Sequence, residues 1–513
     1  MTGQDERDVA IVGAGHNGLV AATLLARNGL SVTVLERADI VGGAVRTEYP
    51  FAAVPRLGAS TGAYLLGLMP PELLELLDLD LPLIRRDPHY HLPLLDGGAL
   101  TLGSDPDRNR AEIEERFGAA EAAAVERYEA DLAALRDDLA PAWLAPPSTV
   151  EETAARYVRP ELRARFLRLV RGSVGDHLRS YGFTSPLLMA MYAVTDGFPG
   201  IHGTWDTPGT GHNLLVHSSA RLPDSDGTWM VVEGGMGTVS AALADAARSA
   251  GAEIVTSAEV SAVLVEDDAV RGIVADGEPI PARVVVVATD PWRLTDLVGA
   301  RLVPSLAGRL DDYARRPGTT LKVNLALRDL PALPDRDGRN VHGATIHLLP
   351  WQDEPIDGMI GAFRTALDGR LPEEPAIELY IHTAVDGSLR DPDGHHSAAL
   401  FVQWVPNRVE GGWDTVGQRY ADHLLELVGR FSPGVAELVV DRQVLHPQAI
   451  ERHFGITGGN IFHVDNTFAF DQRVPYRLDV AGLYACGAGC HPAGSVIGAA
   501  GHNAARCVVE DLA

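Results

Sequence analysis

Three glycines and one carboxylate near the start of the chain have the spacing that phosphate and ribose binding requires. Gly13, Gly15 and Gly18 follow the apolar run Val9 to Val12, and a helical stretch from Leu19 to Arg27 follows them. The first glycine permits a tight turn, the second lets the backbone approach a pyrophosphate, and the third lets helix pack on strand. The helix start would then offer free N–H groups to the phosphates. Glu36 ends the next alternating run, 18 residues after Gly18, where a carboxylate can accept both hydrogens of a ribose diol. This unit binds an ADP-containing dinucleotide. A second concentration of chemistry lies near the other end, where residues 482–501 hold six glycines. The third candidate is a single side chain. Of the 43 basic residues only Lys322 is lysine. It supplies a compact ammonium, or an amine whose pKa burial can lower, and arginine supplies neither.

The surrounding elements must position these groups. Strand, glycine turn, helix, strand and terminal acid form a βαβ unit over residues 9–36. The text from about 105 to 200 is helix-like, as in Ala119–Leu139. Residues 229–290 return to α/β character, with strands at 260–266, 269–275 and 282–288 separated by Asp-Asp and Asp-Gly turns, a β-meander. Residues 318–405 carry alternating runs that predict a second, mixed sheet. In the run 321–327, Leu321, Val323, Leu325 and Leu327 share one strand face, while Lys322, Asn324 and Ala326 share the other. Lys322 and Asn324 then stand about 7 Å apart. The alternative for Lys322 is a surface position on an edge strand.

Composition limits the function classes. The chain has 513 residues, 46% hydrophobic and 22% charged, with 69 acidic residues against 43 basic and a net charge of −26. That balance argues against nucleic-acid binding and against an anionic membrane surface. Cys486, Cys490 and Cys507 lack zinc-ligand spacing, and His202, His212, His217, His395 and His396 lack helical pairing or a nearby Cys/Asp set, so no metal is expected. The polar opening, Met1 to Asp8, and the absence of an apolar span predict a soluble cytoplasmic protein.

After Glu36 come Arg37, Gly42, Gly43 and Arg46. The start Val12-Gly13-Ala14-Gly15-His16-Asn17-Gly18 with this continuation resembles phytoene desaturase-like flavoproteins, especially their bacterial and mitochondrial branch of pyridine nucleotide-disulphide oxidoreductase domain-containing proteins. Phe454–His463, Gly482–Gly489, His491–Gly494, Glu233–Gly237 and Leu321–Leu327 fit the same branch. The resemblance implies FAD and an α/β fold. A Rossmann-type FAD-binding domain would be assembled from residues 1–70, 226–300 and 441–513. An interleaved α+β substrate part would comprise a helical region, 71–225, and a mixed sheet, 301–440. Carried over by position, Gly42, Gly43 and Arg46 would lie along the diphosphate and ribityl part, and Val260 would meet the adenine. Gly487, Gly489 and Ser495, Val496 and Ile497 would reach the flavin ring. A helix starting near Gly494 would direct its positive end at the charge of the reduced flavin. Where relatives read Thr-His-Pro-Gly-Gly-Gly-Val, this chain has Cys490, Ala493 and Ser495, which narrows the space beside the ring and raises a thioether to Cys490 as an option.

The resulting expectation is an FAD-dependent oxidoreductase that removes hydrogen from a largely apolar small molecule. Lys322 would assist hydrogen transfer or reoxidation, and Asn324, Trp404 and His491 would line the substrate site. Oxygen, a quinone or a nicotinamide would accept the electrons. Amine oxidation is the alternative chemistry and predicts an aromatic cage, with Trp404 and Trp205 as candidates. A non-catalytic flavin-stabilised partner-binding protein is the other alternative. A second nucleotide site at Trp229–Gly237, with Glu259 as its acid, is a weaker reading because Val239 stands where a glycine is needed.

Overall fold

The computed structural model describes residues 7–194, 201–314, 316–335 and 338–513. The first six residues, read above as part of the polar opening, and 195–200, at the end of the helix-like stretch, lie outside the described residues.

Two seven-stranded sheets organise the described chain. The first begins with strand Arg7–Val12, flanked in parallel by Val32–Leu35 and Glu278–Val287. Glu253–Val255 extends it beyond Val32–Leu35, and Leu483–Ala485 pairs beside Glu278–Val287, both in parallel. Residues Val9, Ala10, Ile11 and Val32–Leu35 are buried, the continuous apolar pattern of a sheet covered on both faces. Helix His16–Arg27 packs against helices Gly237–Ser249 and Ala499–Leu512. The expected meander is present as Val260–Glu266, Ala269–Ala275 and Glu278–Val287, joined antiparallel. Its turns use Asp267, Asp268, Asp276 and Gly277, all at positive φ, as two-residue hairpin turns demand. One α/β sheet is therefore built from three separated stretches of chain.

The second sheet runs Val439–Leu445, Thr320–Leu327, His396–Gln403, Ala376–Ile381, Thr345–Leu348, Tyr90–Pro93 and Ala99–Leu102. Its pairings are antiparallel except between Thr345–Leu348 and Tyr90–Pro93. The face carrying Leu321, Val323, Leu325, Ile377, Leu379 and Leu400 packs on helix Trp413–Gly429 through Tyr420, Leu424 and Val428. The region expected as helical thus also contributes two strands, 90–93 and 99–102, to this sheet. Strand Val439–Leu445 joins it as well, because its partner is Thr320–Leu327 and not a strand of the first sheet. Helices from Pro106–Phe117 to Pro186–Val194 cover the other face of the second sheet, burying Tyr380 and Phe401 in their own core. Among the described residues no helix is long and apolar enough to cross a membrane.

The segment considered as a second nucleotide site is built differently. Its strand is only Val231–Val232, paired with Leu83–Ile84, and the following helix packs on the first sheet's helix. Glu259 lines the same cavity as Glu36. The segment walls the first site and has no parallel sheet of its own.

Candidate active site

A cavity of about 500 Å3 starts at the carboxyl ends of the parallel strands and runs to the face of the second sheet. That is within the range of about 300–1,000 Å3 common for small-molecule sites. At its first end, Gly13 takes a positive φ of 102°, donates to the Leu35 carbonyl, and turns the chain into helix His16–Arg27. The helix has no side-chain cap and no acidic residue in its first turn, so its free N–H groups and positive dipole end remain available to an anion. Nothing lies within 4 Å of where a Cβ on Gly15 would stand. Glu36 is held by backbone: Ala14 N–H donates to Oε2 and Ala38 N–H to Oε1, both at 2.9 Å. Each carboxylate oxygen keeps a further acceptor site. Arg37, Gly42, Gly43 and Val260 line the same end.

Gly18 has another duty. A Cβ there would sit 2.2 Å from the Gly13 carbonyl oxygen, so this glycine permits the turn without touching the cavity. Arg46 also stands back from the lining: it donates to the His453 carbonyl, pairs with Glu48 at 3.4 Å and lies over the Phe454 ring. Near the C-terminus, Ser495 and Val496 line the cavity, but Gly487, Gly489 and Ile497 do not. Gly487 is a close-packing glycine whose Cβ would meet the Thr289 carbonyl at 2.0 Å, and Gly489 packs near Val464 and Val474. Ile497 packs with Leu68, Trp143 and Val216. The C-terminal helix begins at Ala499, capped by Gly498, later than the expected start near Gly494. Of the two added side chains, only Ser495 narrows the cavity; Ala493 is in the Trp143 cluster. Cys490 is buried away from the lining and burial pushes its thiol up to about 12, both against the thioether option.

At the other end stands Lys322. It is 5% exposed and lies on an interior strand, which removes the surface-edge alternative. Its Nζ donates to the Gly62 carbonyl at 2.8 Å and sits 4.0 Å from the Tyr64 ring centre and 4.5 Å from that of Phe401. Burial pushes its pKa down to about 7, opposed by the charge of Glu378. Leu65, His217, Trp229, Tyr380 and Phe462 complete an aromatic and apolar wall.

The three side chains expected around a substrate lie elsewhere. Asn324 is on the same strand face as Lys322 but donates to Gln443 Oε1, and two positions on Ala326 packs with Phe51, Val54 and Leu57. Trp404 is buried beside Phe363, 5.4 Å between ring centres. His491 bonds the Ala142 carbonyl and packs on Phe470. Trp205, the other cage candidate, lies under Arg179. Tyr64 and Phe401 are the aromatic pair actually present beside the cation.

Glu378 and Tyr380 escaped notice in the sequence, although the alternation in 376–381 places both opposite Ile377, Leu379 and Ile381 and flags a carboxylate on a buried strand face. His16 and His463 carried no signal. His16 is pushed down to about 4 and His463 below its ordinary value, mainly by burial, so both rings are neutral. The geometry accepts FAD. His16 Nε2, Asn17 Oδ1 and His463 Nδ1 are buried without a protein partner on residues that line the cavity, and such atoms call for a ligand or water. Elsewhere Asp391, Asp393 and His395 bring ligand atoms within 4.8 Å of one another, a set the sequence reading had not anticipated.

Known proteins resolve the family. Residues 18–317 match the flavin containing amine oxidoreductase family. The chain is 34% identical to pyridine nucleotide-disulfide oxidoreductase domain-containing protein 2 of Rattus norvegicus, over 99% of this chain and 94% of that one. It belongs to the flavin-containing amine oxidoreductase family. This flavoenzyme is also 27% identical to the hydroxyneurosporene desaturase of Cereibacter sphaeroides, over 98% of both chains. Its fold is shared with an oxidoreductase from Methanosarcina mazei, at TM-score 0.60 and 14% identity over 98% of this chain and 100% of that one. The protein is an FAD-dependent oxidoreductase of phytoene desaturase-like type.

Proposed function

We propose that this flavoenzyme dehydrogenates a C–C bond of a largely apolar small molecule held between the cofactor and the face of the second sheet. The carrying observation is that Lys322, with its flanking Tyr64 and Phe401 rings, opens into the same cavity as Glu36 and Gly15. Glu36 would accept the ribose hydroxyls. The start of helix His16–Arg27, with Gly15 and Gly43, would receive the diphosphate. Val260 would meet the adenine, and Ser495 and Val496 the ring. When bound, FAD supplies the two-electron acceptor. Tyr64, Leu65, Trp229, Phe401 and Phe462 present an apolar surface that would exclude water and orient a hydrocarbon segment. Lys322, near neutral pKa, is suited to hold or release a proton at Nζ. The desaturase relative supports C–C chemistry in preference to amine oxidation, and so does the absence of Trp404 and Trp205 from the cavity.

The test is anaerobic mixing of the FAD-loaded enzyme with unsaturated or saturated lipids on one side and simple amines on the other, followed by flavin absorbance. Bleaching by a lipid is expected. Bleaching by simple amines would overturn the C–C reading. Oxygen, a quinone and a nicotinamide, offered in turn to the reduced enzyme, would identify the acceptor by its rate of restoring the colour.

A further inference from the structure

The strand register places four side chains of the second sheet in one row. Lys322 pairs with Phe401, Phe401 with Glu378, and Glu378 with His347. Residues directly opposite across strands project from the same face. The row therefore reads cation, aromatic ring, carboxylate and imidazole, with Lys322 and Glu378 separated by one strand and both lining the cavity. Adjacent strands are about 4.8 Å apart. Lys322 Nζ lies 4.5 Å from the centre of the intervening Phe401 ring.

The other neighbours determine which way this carboxylate acts. Glu378 is 1% exposed, and Tyr380, two residues along the same strand, donates its hydroxyl to Oε2 at 2.8 Å. Behind it, His347 Nδ1 lies 3.6 Å from Oε1, beyond hydrogen-bond distance. Burial and the positive charge of Arg86 hold His347 down to about 3, so its ring is neutral. On the lysine's side, Tyr64 is the hydroxyl-bearing neighbour, and burial together with Glu378 pushes its phenol upward, so it stays neutral. His382, just past the end of the Glu378 strand, is held down to about 4 by burial and by Lys322 itself. Leu445, opposite Lys322 on the remaining strand, has no charge. Arg86 is bonded to the Trp229 carbonyl and Thr345 and bears on the row through His347.

We propose that Glu378 is the positioning residue for Lys322, its buried carboxylate keeping the ammonium charged inside the cavity and setting the pH at which the lysine releases its proton. The claim deepens the proposed function, since it rests on Lys322 serving the reaction, but its electrostatic core can be measured without any substrate. Because the chain has one lysine, protein grown with 13C-lysine gives a single side-chain Cε signal whose shift follows the ammonium directly. In the FAD-loaded wild type that signal should titrate with a midpoint near 7. Glu378→Gln removes the charge that favours the ammonium, so the midpoint should fall by about one pH unit or more. Glu378→Asp draws the carboxylate back by one methylene and should lower the midpoint by less. It carries the test if the Gln variant fails to retain FAD. A midpoint unchanged or raised in these variants overturns the proposal. Failure of the underlying reading looks different: Lys322→Met would keep wild-type half-reaction rates while the Glu378 variants still moved the lysine signal.

Discussion

At the scale of single residues, two groups at opposite ends of the cavity carry separable predictions. The Glu36 carboxylate is held in place by two backbone N–H groups, so removing it costs the ligand contacts without a long side-chain rearrangement. Hydrogen bonds to a charged group contribute about 1.5–3 kcal/mol each. Glu36→Ala should therefore weaken FAD binding by about 10- to 100-fold or more, read as loss of yellow colour on purification and as a raised Kd on reconstitution. Flavin content equal to wild type would show that the ribose is held elsewhere. Lys322 touches the other end, and its replacement should leave FAD in place. Lys322→Met and Lys322→Arg should each slow flavin reduction or reoxidation by about 100-fold, the lower range for a proton-transfer group. The Arg variant tests the chemistry and not the charge alone, because a guanidinium stays protonated where a buried ammonium near neutral pKa can release. Wild-type rates in both half-reactions for both variants would leave Lys322 a structural cation between two rings.

At the scale of elements, glycine acts in two ways that one sequence pattern conceals. Gly15 borders open space, whereas Gly18 faces the Gly13 carbonyl at a distance no Cβ tolerates. Gly18→Ala should push helix His16–Arg27 off its turn, costing about 1–3 kcal/mol by overpacking and lowering both Tm and FAD content. Gly308→Ala is the control: it lies in helix Pro304–Ala314 with open space around the added methyl, and should raise stability by about 0.5–1 kcal/mol. A Gly18→Ala protein as stable and as yellow as wild type would refute the close-packing account. The same contrast explains what could be read from sequence. The βαβ unit, its terminal acid and the meander are local patterns, each encoded within a few dozen residues, and Lys322 stood out by its type. Glu378 shares the lysine's sheet face through strand register, and Tyr64 reaches the lysine from a distant loop, which no local spacing reports. Asn324 shares the strand face of Lys322, yet its amide is bonded to Gln443 on the neighbouring strand, and face periodicity alone does not separate the two positions. Gly487 and Gly489 are close-packing glycines, and in sequence a glycine that lets two backbones touch looks like one that admits a ligand.

At the scale of the whole molecule, the histidines make folding depend on pH. His91, His212, His217, His382 and His491 are buried and pushed down to about 4, and His177 and His347 to about 3, in every case chiefly by burial. In the unfolded chain each would titrate near 6.5. Above that value both states are neutral and the term is silent. As pH falls below 6.5 the unfolded state takes up protons that the folded state refuses, so the stability held at neutral pH is lost progressively towards about 4. Each unit of depression corresponds to about 1.4 kcal/mol, so near pH 5 every such ring costs about 2 kcal/mol. Seven rings together then rival the total stability of about 5–15 kcal/mol typical of a folded protein. Two terms oppose this. One is relief of self-repulsion as the net charge of −26 is titrated, but those charges are mostly exposed and screened by salt. The other is buried Glu129, which burial pushes up to about 7 so that the fold takes its proton first; neither matches seven rings. The expected outcome is a Tm that falls steeply between pH 6.5 and 5. Above 6.5 the histidines contribute nothing, and Lys322, neutral in the fold above about 7 but charged in the unfolded chain, adds a gentler rise with pH. FAD release should coincide with unfolding, because the cavity is walled by both sheets and cannot outlast their packing. His177 lies outside that cavity, packed against Tyr128 and Tyr181, so His177→Gln should reduce the steepness of the fall without altering FAD content at neutral pH. A Tm that holds steady to pH 4, or a His177→Gln slope equal to wild type, would show that these rings find protonated forms within the fold.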